Sequence, residues 1–447
     1  MSKLRAGAAR VKITPLPGVD LSGYAFREGP SEGVHDDLWC RALILDDEIS
    51  RLALVALDLL GVDFPLDAAI RKAVAQVADL PPDHVLVNCS HTHAGPAVSP
   101  RLTGLGLPNE SYVHDLPDLA SDAAAVAASK LAPATLSYGE APLRVGINRR
   151  ERTEDGHIKL GRFPEGPADD AIRIVRVDAG NEERAAVIFH HACHGTTLGS
   201  ENRMISSEWM GVACERVATR LPSPTIPIFL QGCCGQINPD AGDSSFEEVA
   251  RLGAEAGDAA LVALDSAEQL RGTPLAVRLR RIELPQQDPP PPDQARAGLE
   301  SAKKTLEAAR QKGAHSYVLR AHETQVAYAG MVQDLAERDV QGHNLPFVVH
   351  AMQIGELAVL ALSGEVFLEF ARRIEAGSPF RHTLVLGYSN GCTGYVPTAE
   401  AFQEGGYEVE DSFRWYGTLP LSPGAGEIVA AAALETLRDL PGARSSA

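Results

Sequence analysis

Short, almost uninterrupted apolar runs alternate with amphipathic stretches along most of the chain, a pattern that predicts strands joined by helices. One arrangement occurs three times. The first copy has a strand at 51–60 (RLALVALDLL), a turn at Gly61, a helix over 67–80, a strand at 84–90 (HVLVNCS) and a polar turn at 91–96 (HTHAGP). The second has a strand at 185–192, a turn at 194–200 (HGTTLGS), a helix over 207–220, a strand at 225–232 and a polar turn at 233–240 (CCGQINPD). The third has a strand at 356–363, then Gly364 and Glu365, a helix over 366–374, a strand at 382–389 and a polar turn at 390–397 (NGCTGYVP). These units predict an α/β (mixed α+β) fold with mixed β-sheets flanked by helices. Ligands in such folds collect at strand ends, so three polar, Gly-containing turns point to one shared end of the core.

No linker divides the chain, which reads as a single domain over 1–447. The strongest breaker, 288–293 (DPPPPD), excludes helix and central strand and predicts a stiff extended connector. Beyond it, 294–339 carries Ala, Glu, Lys, Arg and Leu at helical spacing, which predicts a helical hairpin broken near Gly313. Connector and hairpin form an insertion over 288–345 with little chemistry of its own, suited to packing or to building a homo-oligomer.

Charge narrows the partners. Lys and Arg total 41 against 59 Asp and Glu, a formal net charge of −18, which excludes the basic stripe that nucleic acid requires and opposes anionic membrane surfaces. The longest apolar stretch, 52–62, falls well short of a bilayer span and contains Asp58, so no integral membrane segment is expected. The first fifteen residues have no apolar core of the kind a secretory signal needs. Seven cysteines, an odd number without a C-x-x-C pair, fit free thiols in a reducing cytoplasm. A small-molecule substrate is the partner left.

The turns hold the candidate chemistry. In an extended segment His91 and His93 share a face, so the pair is either one side of a metal site or two turn histidines facing solvent. His194, just before Gly195, sits where an imidazole can reach a cleft, whereas His190 and His191 read as core or surface residues. Glu365 is either a charge favoured by the following helix dipole or a buried metal ligand. Tyr395, taken alone, reads as a packing anchor. Asp58 holds the corresponding place in the first unit, as a turn aspartate or a further site residue. Two or three imidazoles with a carboxylate suit Zn²⁺. Its open position holds a water whose pKa falls toward about 7, giving a metal-bound hydroxide as nucleophile. Gly-x-Ser-x-Gly and Walker loops are absent, and Gly104-Leu105-Gly106 lacks the strand–helix setting of a dinucleotide site. A TIM-barrel amidohydrolase needs eight βα units against the three present.

Taken together, these segments resemble the neutral (non-lysosomal) ceramidase family of zinc amidases. The resemblance rests on SHTHAGP (90–96), GINR (146–149), CHGTTL with ISSEWMG (193–211), GQINPD (235–240), SGE (363–365) and GYSNGCTGYVPT with GGYE (387–408), in the family's order and covering roughly 6–430. It implies the family's catalytic domain, with His91, His194, Glu365 and Tyr395 as zinc ligands and His93, Arg149 and Tyr407 beside the substrate. Arg149 then grips a carbonyl or hydroxyl and His93 shuttles a proton to the leaving group.

Two departures modify that implication. The family carries a catalytic serine where this chain has Asn238, whose amide can donate to an oxyanion or orient water but cannot ionise. The family's immunoglobulin-like domain and secretion signal are also missing from this sequence. The expectation is therefore a cytoplasmic zinc hydrolase cleaving an amide in a small or moderately polar N-acyl substrate. An ester, lactone or other carbon–heteroatom bond is the alternative, and a non-catalytic metal- or ligand-binding homologue is the third.

Overall fold

Each of the three predicted units is a parallel strand–helix–strand. Strands Arg51–Leu57 and Val85–Cys89 flank helix Phe64–Ala78. Glu183–His191 and Ile226–Gln231 flank helix Glu208–Arg220. Leu357–Leu362 and His382–Leu386 flank helix Leu368–Gly377. The computed structural model describes residues 4–99, 106–180, 183–222, 224–272 and 274–445; Gly104 and Leu105 of the Gly-Leu-Gly segment lie outside them.

Local chemistry moves several boundaries. The first helix starts before residue 67 because the Asp63 carboxylate caps the Leu66 N–H and proline occupies its first turn; Asp79, at φ 53, ends it. The third begins at Leu368 because Glu365–Val366 pairs in parallel with Tyr395–Val396. The expected turn over 233–240 contains a short strand, Ile237–Pro239, antiparallel to Gly146–Arg152. Only the front of the proline run is non-helical. Helix Pro292–Gln311 starts inside it, where proline's missing N–H costs nothing, and Ser316–Glu337 completes the hairpin.

Among the described residues a nine-stranded mixed sheet includes the first two units, and the third lies in a four-stranded sheet. Its strands run Ile226–Gln231, Glu183–His191, Ala171–Ala179, Ala132–Pro142, Arg5–Lys12, Trp39–Asp46, Arg51–Leu57 and Val85–Cys89, with Glu268–Gln269 added beside Ala132–Pro142. The two sheets share one apolar layer, in which Leu52, Leu54 and Leu86 meet Met352, Val359 and Leu384. Their opposite faces carry helices: Ala53, Val55 and Leu57 belong with Leu66, Ile70 and Val74. Strands covered on both faces cannot alternate apolar with polar residues, which is why they read as continuous apolar runs. No helix among the described residues is long and apolar enough to cross a membrane.

The three units are tied together where their second strands end. Asn88 is fully buried; its Oδ1 accepts the Gln231 N–H at 2.8 Å, and its Nδ2 donates to the Gly387 carbonyl at 2.9 Å and to Ser389 Oγ at 3.0 Å. One amide thus joins an end of each unit, and it draws the two edge strands of the large sheet together. Gln231 extends the knot, donating through Nε2 to the carbonyls of Ser90 and Cys193, both at 2.8 Å. Asn390 Oδ1 accepts the Val87 N–H at 2.9 Å. Asn88→Ala is expected to leave the Gln231 N–H without its partner, to remove one of the two donors to the Gly387 carbonyl, and to lower stability by about 3 kcal/mol. Urea unfolding measures it, and a loss below about 1 kcal/mol would contradict the assigned role.

Glu208 braces the loop after His194. It opens its helix at φ 61, and its buried carboxylate accepts the Leu198 N–H at 2.7 Å. Burial raises its carboxyl from 4.5 to about 7, against the pull of the Leu198 and Trp209 N–H groups. The unfolded chain therefore releases this proton first as pH rises, and Glu208 lowers stability progressively between about 4.5 and about 7. Relative to Glu208→Gln, the wild type should lose about 1 kcal/mol per pH unit across that window. Urea midpoints of the two proteins at pH values inside it test this, and parallel pH profiles would refute it.

Candidate metal centre

The site forms where the knotted strands release their polar turns. His91 follows strand Val85–Cys89 at φ 62, so the segment is not extended there as the alternation argument supposed. Its N–H donates to the Leu59 carbonyl at 2.9 Å and its Nδ1 pairs with the Leu60 carbonyl at 2.7 Å. The His93 N–H donates to the Gly195 carbonyl at 3.0 Å. The two imidazoles still face one pocket, with Nε2 atoms 3.2 Å apart. His194 enters from the second unit, its N–H and Nδ1 both 3.0 Å from the Ile237 carbonyl.

A carbonyl only accepts, so each of those Nδ1 atoms carries the proton, and in the neutral forms of the two rings the Nε2 lone pairs point inward. They point at Glu365. Its Oε2 lies 3.5 Å from His91 Nε2 and 3.3 Å from His194 Nε2. Lone pairs facing a carboxylate oxygen in a buried space are a donor set for a cation. The ligand atoms of His91, His93 and His194 all fall within 4.8 Å of one another, close enough to hold a metal ion. Burial, with the Arg149 charge, pushes His194 down to about 4, and burial with the two neighbouring imidazoles pushes His93 well below its usual range. Burial favours protonated Glu365, but in the metal-free site His91 and His194, when charged and donating through Nε2, hold it well below the usual carboxylate range.

Beside this set stands a guanidinium. Arg149 lies on Gly146–Arg152, next to the short strand that carries Asn238. Its Nε donates to Glu408 Oε1 at 2.8 Å, Nη1 to Asn238 Oδ1 at 3.1 Å and Nη2 to Tyr395 Oη at 3.0 Å; Nη1 also lies 3.3 Å from His194 Nε2. Burial opposes this charge, but Tyr395 and Glu408 raise Arg149 well above its ordinary value. Arginine can only donate, so it fixes the Asn238 amide with the oxygen inward and leaves Nδ2 for a ligand. Tyr395 is the register partner of Glu365. Tyr407 packs edge-on to Tyr395 at 5.8 Å, with the Arg149 guanidinium 5.7 Å from its ring centre.

All eight residues picked out in the sequence therefore converge, and burial sorts them. His91, His194, Glu365, Tyr395 and Arg149 are buried, whereas His93, Asn238 and Tyr407 are half-buried and give the cluster one open side. Asp58 does not join them. Its carboxylate is spent on Arg41 Nη1 at 2.7 Å and the Trp39 N–H at 2.9 Å, and in its unit the Leu59 and Leu60 carbonyls serve the site instead. His190 and His191 are core residues, paired with the Val385 and Ala171 carbonyls. Six cysteines are buried free thiols and Cys392 is half-buried.

Other participants, apart from Tyr388 within GYSNGCTGYVPT, carry no sequence signal. Tyr388 Oη donates to Glu365 Oε2 at 3.3 Å and its ring lies 4.0 Å from that of His91, while the Tyr416 hydroxyl donates to Glu365 Oε1. The Tyr24 ring lies 5.1 Å from that of His93. Gly23, at φ 99, must lack a side chain, since a Cβ would come within 2.4 Å of His93 Nδ1. Glu408 is a second exception: it adjoins Tyr407 in GGYE and anchors both Arg149 and Arg150, the latter at 2.7 Å.

Known proteins share this architecture. The crystal structure of neutral ceramidase from Pseudomonas aeruginosa superposes with a TM-score of 0.71 over 97% of this chain and 74% of that one, at 21% identity. In sequence, the neutral ceramidase of that organism is 24% identical over 90% of this chain and 68% of its own length. The neutral ceramidase of Mycobacterium tuberculosis is 28% identical over 43% of this chain and 32% of its own. A sequence model described as neutral/alkaline non-lysosomal ceramidase, N-terminal, matches residues 5–245, more than half of the chain. On that match, the chain belongs to the neutral/alkaline non-lysosomal ceramidase family.

Proposed function

We propose that the protein is a zinc-dependent amidase acting on a small or moderately polar N-acyl substrate. Membership of a ceramidase family supports a hydrolase of the amidase class. The observation that carries the metal reading is the pair of imidazoles whose Nδ1 atoms are committed to the Leu60 and Ile237 carbonyls, leaving two inward Nε2 lone pairs opposite Glu365. In this reading His91, His194, Glu365 and Tyr395 hold Zn²⁺. Bound there, Zn²⁺ supplies a Lewis acid for the carbonyl oxygen and activates water at neutral pH.

The chain's own residues do the rest. His93 is held neutral by burial and by the two imidazoles beside it, so its Nε2 can take a proton and deliver it to the departing nitrogen. Arg149 keeps its charge, orients Asn238 and neutralises the anion beside it. Asn238 Nδ2 donates to the developing oxyanion or positions the attacking water. Tyr407 borders the open side. An amide donor in place of a serine hydroxyl, together with a net charge of −18, favours a soluble substrate over a membrane lipid. The buried, unpaired thiols fit a cytoplasmic setting. Residues of the site span the chain from Tyr24 to Tyr416, which supports one catalytic domain over 1–447 with 288–345 as its insertion.

The grouping of three histidines favours a second reading of one residue, with His93 as a further metal ligand. Metal analysis and assay of two variants separate the roles. His194→Ala is expected to lose both zinc and activity. His93→Ala is expected to keep stoichiometric zinc and lose about 100-fold in rate, as for a lost proton shuttle; loss of zinc from it instead makes His93 a ligand. Chelation should abolish hydrolysis and zinc restore it. Panels of N-acyl amides and of lactones assign the bond, and a lactone-only profile would replace the amidase reading.

A further inference from the structure

The helical hairpin, suited by its sequence to packing or to building a homo-oligomer, bears on the metal centre through a single turn, Phe413–Tyr416. At the inner end of that turn the Tyr416 hydroxyl donates to Glu365 Oε1. Oε2, the oxygen that faces His91 and His194, receives the Tyr388 hydroxyl. The carboxylate is thus pinned at both oxygens, and Tyr416 decides which oxygen is turned from the imidazoles. The Tyr416 ring lies on Gly394, at φ 110, where a Cβ would come within 3.3 Å of the ring. Its position is set by the backbone beside Tyr395.

At its outer end the same turn meets the hairpin. Phe413 packs against Tyr328 of helix Ser316–Glu337, ring centres 5.9 Å apart and tilted by 44°. Trp415 is buried with Leu60, the residue whose carbonyl holds His91, and meets Phe26 edge-on at 6.1 Å. Phe26 in turn contacts His322 of the hairpin at 5.6 Å. A second anchorage lies at Asp20, whose carboxylate takes the Tyr317 hydroxyl at 3.0 Å and Arg320 Nη2 at 2.6 Å. Few hairpin side chains are buried: Ala295, Leu306, Ala321, Val332 and Ala336. Ala295, Val332 and Ala336 cluster with Leu419, just beyond the turn, so the hairpin is seated on the stretch from Phe413 to Leu419 as well as on Asp20 and Phe26.

We propose that Tyr416 is a positioning residue for Glu365 and that seating of the hairpin on Phe413 sets the metal affinity of the site through it. The inference rests on the metal-centre reading above and adds a residue and a path to it. Tyr416→Phe removes one oxygen and keeps the ring on Gly394, so it alters the carboxylate without opening a cavity.

The test is the zinc dissociation constant of the full chain, measured by competition with a chromophoric chelator. Tyr416→Phe should bind zinc about 10-fold more weakly, the lower end of the usual effect of partners that orient a ligand. Tyr328→Ala should weaken binding about fivefold, whereas Tyr328→Phe, which keeps the ring, should match the wild type. The double variant Tyr416→Phe with Tyr328→Ala should bind no more weakly than Tyr416→Phe alone, because the hairpin acts through the hydroxyl already removed. Unchanged affinity in Tyr416→Phe overturns the proposal, as do effects of the two substitutions that simply add. A wild-type chain that takes up no zinc overturns the metal centre itself and this inference with it.

Discussion

The structure depends on one buried side-chain amide. Strands ending at a common point inside a protein leave backbone donors and acceptors that no sheet ladder can satisfy, and each unsatisfied group costs as much as a lost hydrogen bond. Asn88, on one of these ends, answers the other two at once, being short enough to sit among them and carrying both donors and an acceptor. Gln231 and Asn390 repeat the device at the neighbouring ends. The polar turns leave from this knot in a fixed relation, so the separations among His91, His194 and Glu365 are consequences of how the strands are tied.

From that base the site is built by backbone carbonyls and phenols more than by charged partners. Leu60 and Ile237 choose the tautomers of two histidines, and Tyr388 and Tyr416 hold the carboxylate they face. Arg149 has a different task, since its buried guanidinium connects Glu408, Asn238 and Tyr395. The interior is thus preorganised by groups that cannot change protonation state near neutrality, and the titratable members inherit their geometry from them.

Much of this was legible in the sequence. Parallel units announce themselves because strands covered on both faces must be continuously apolar, and their turns because Gly and polar residues end such runs abruptly. Most of the eight candidate residues converge because they sit at a strand end or in a short strand springing from one; Arg149 lies mid-strand and Tyr407 opens a short helix. Asp58 shows where that logic stops. Its position matches those of His194 and Glu365, but the neighbouring sheet strand carries Arg41, and a buried arginine claims the nearest carboxylate. Tyr24 and Tyr416 were invisible, and the role of Tyr388 within its motif unread, for a related reason. A tyrosine in a loop means nothing until the chain brings its hydroxyl to a partner far away in sequence. The hairpin's outline could be read from its periodicity, but its seat on Phe413 and Asp20 could not.

The knot also sets the order in which the molecule can mature during synthesis. His91 and His194 lie in the first half of the chain, but Glu365, Tyr395 and Tyr416 emerge from the ribosome far later, after the hairpin. The third strand end that Asn88 binds is also made late, at Gly387 and Ser389. A nascent chain therefore displays two histidines long before it has the carboxylate to go with them. The carboxylate that faces the two imidazoles reaches them only after the hairpin has been made.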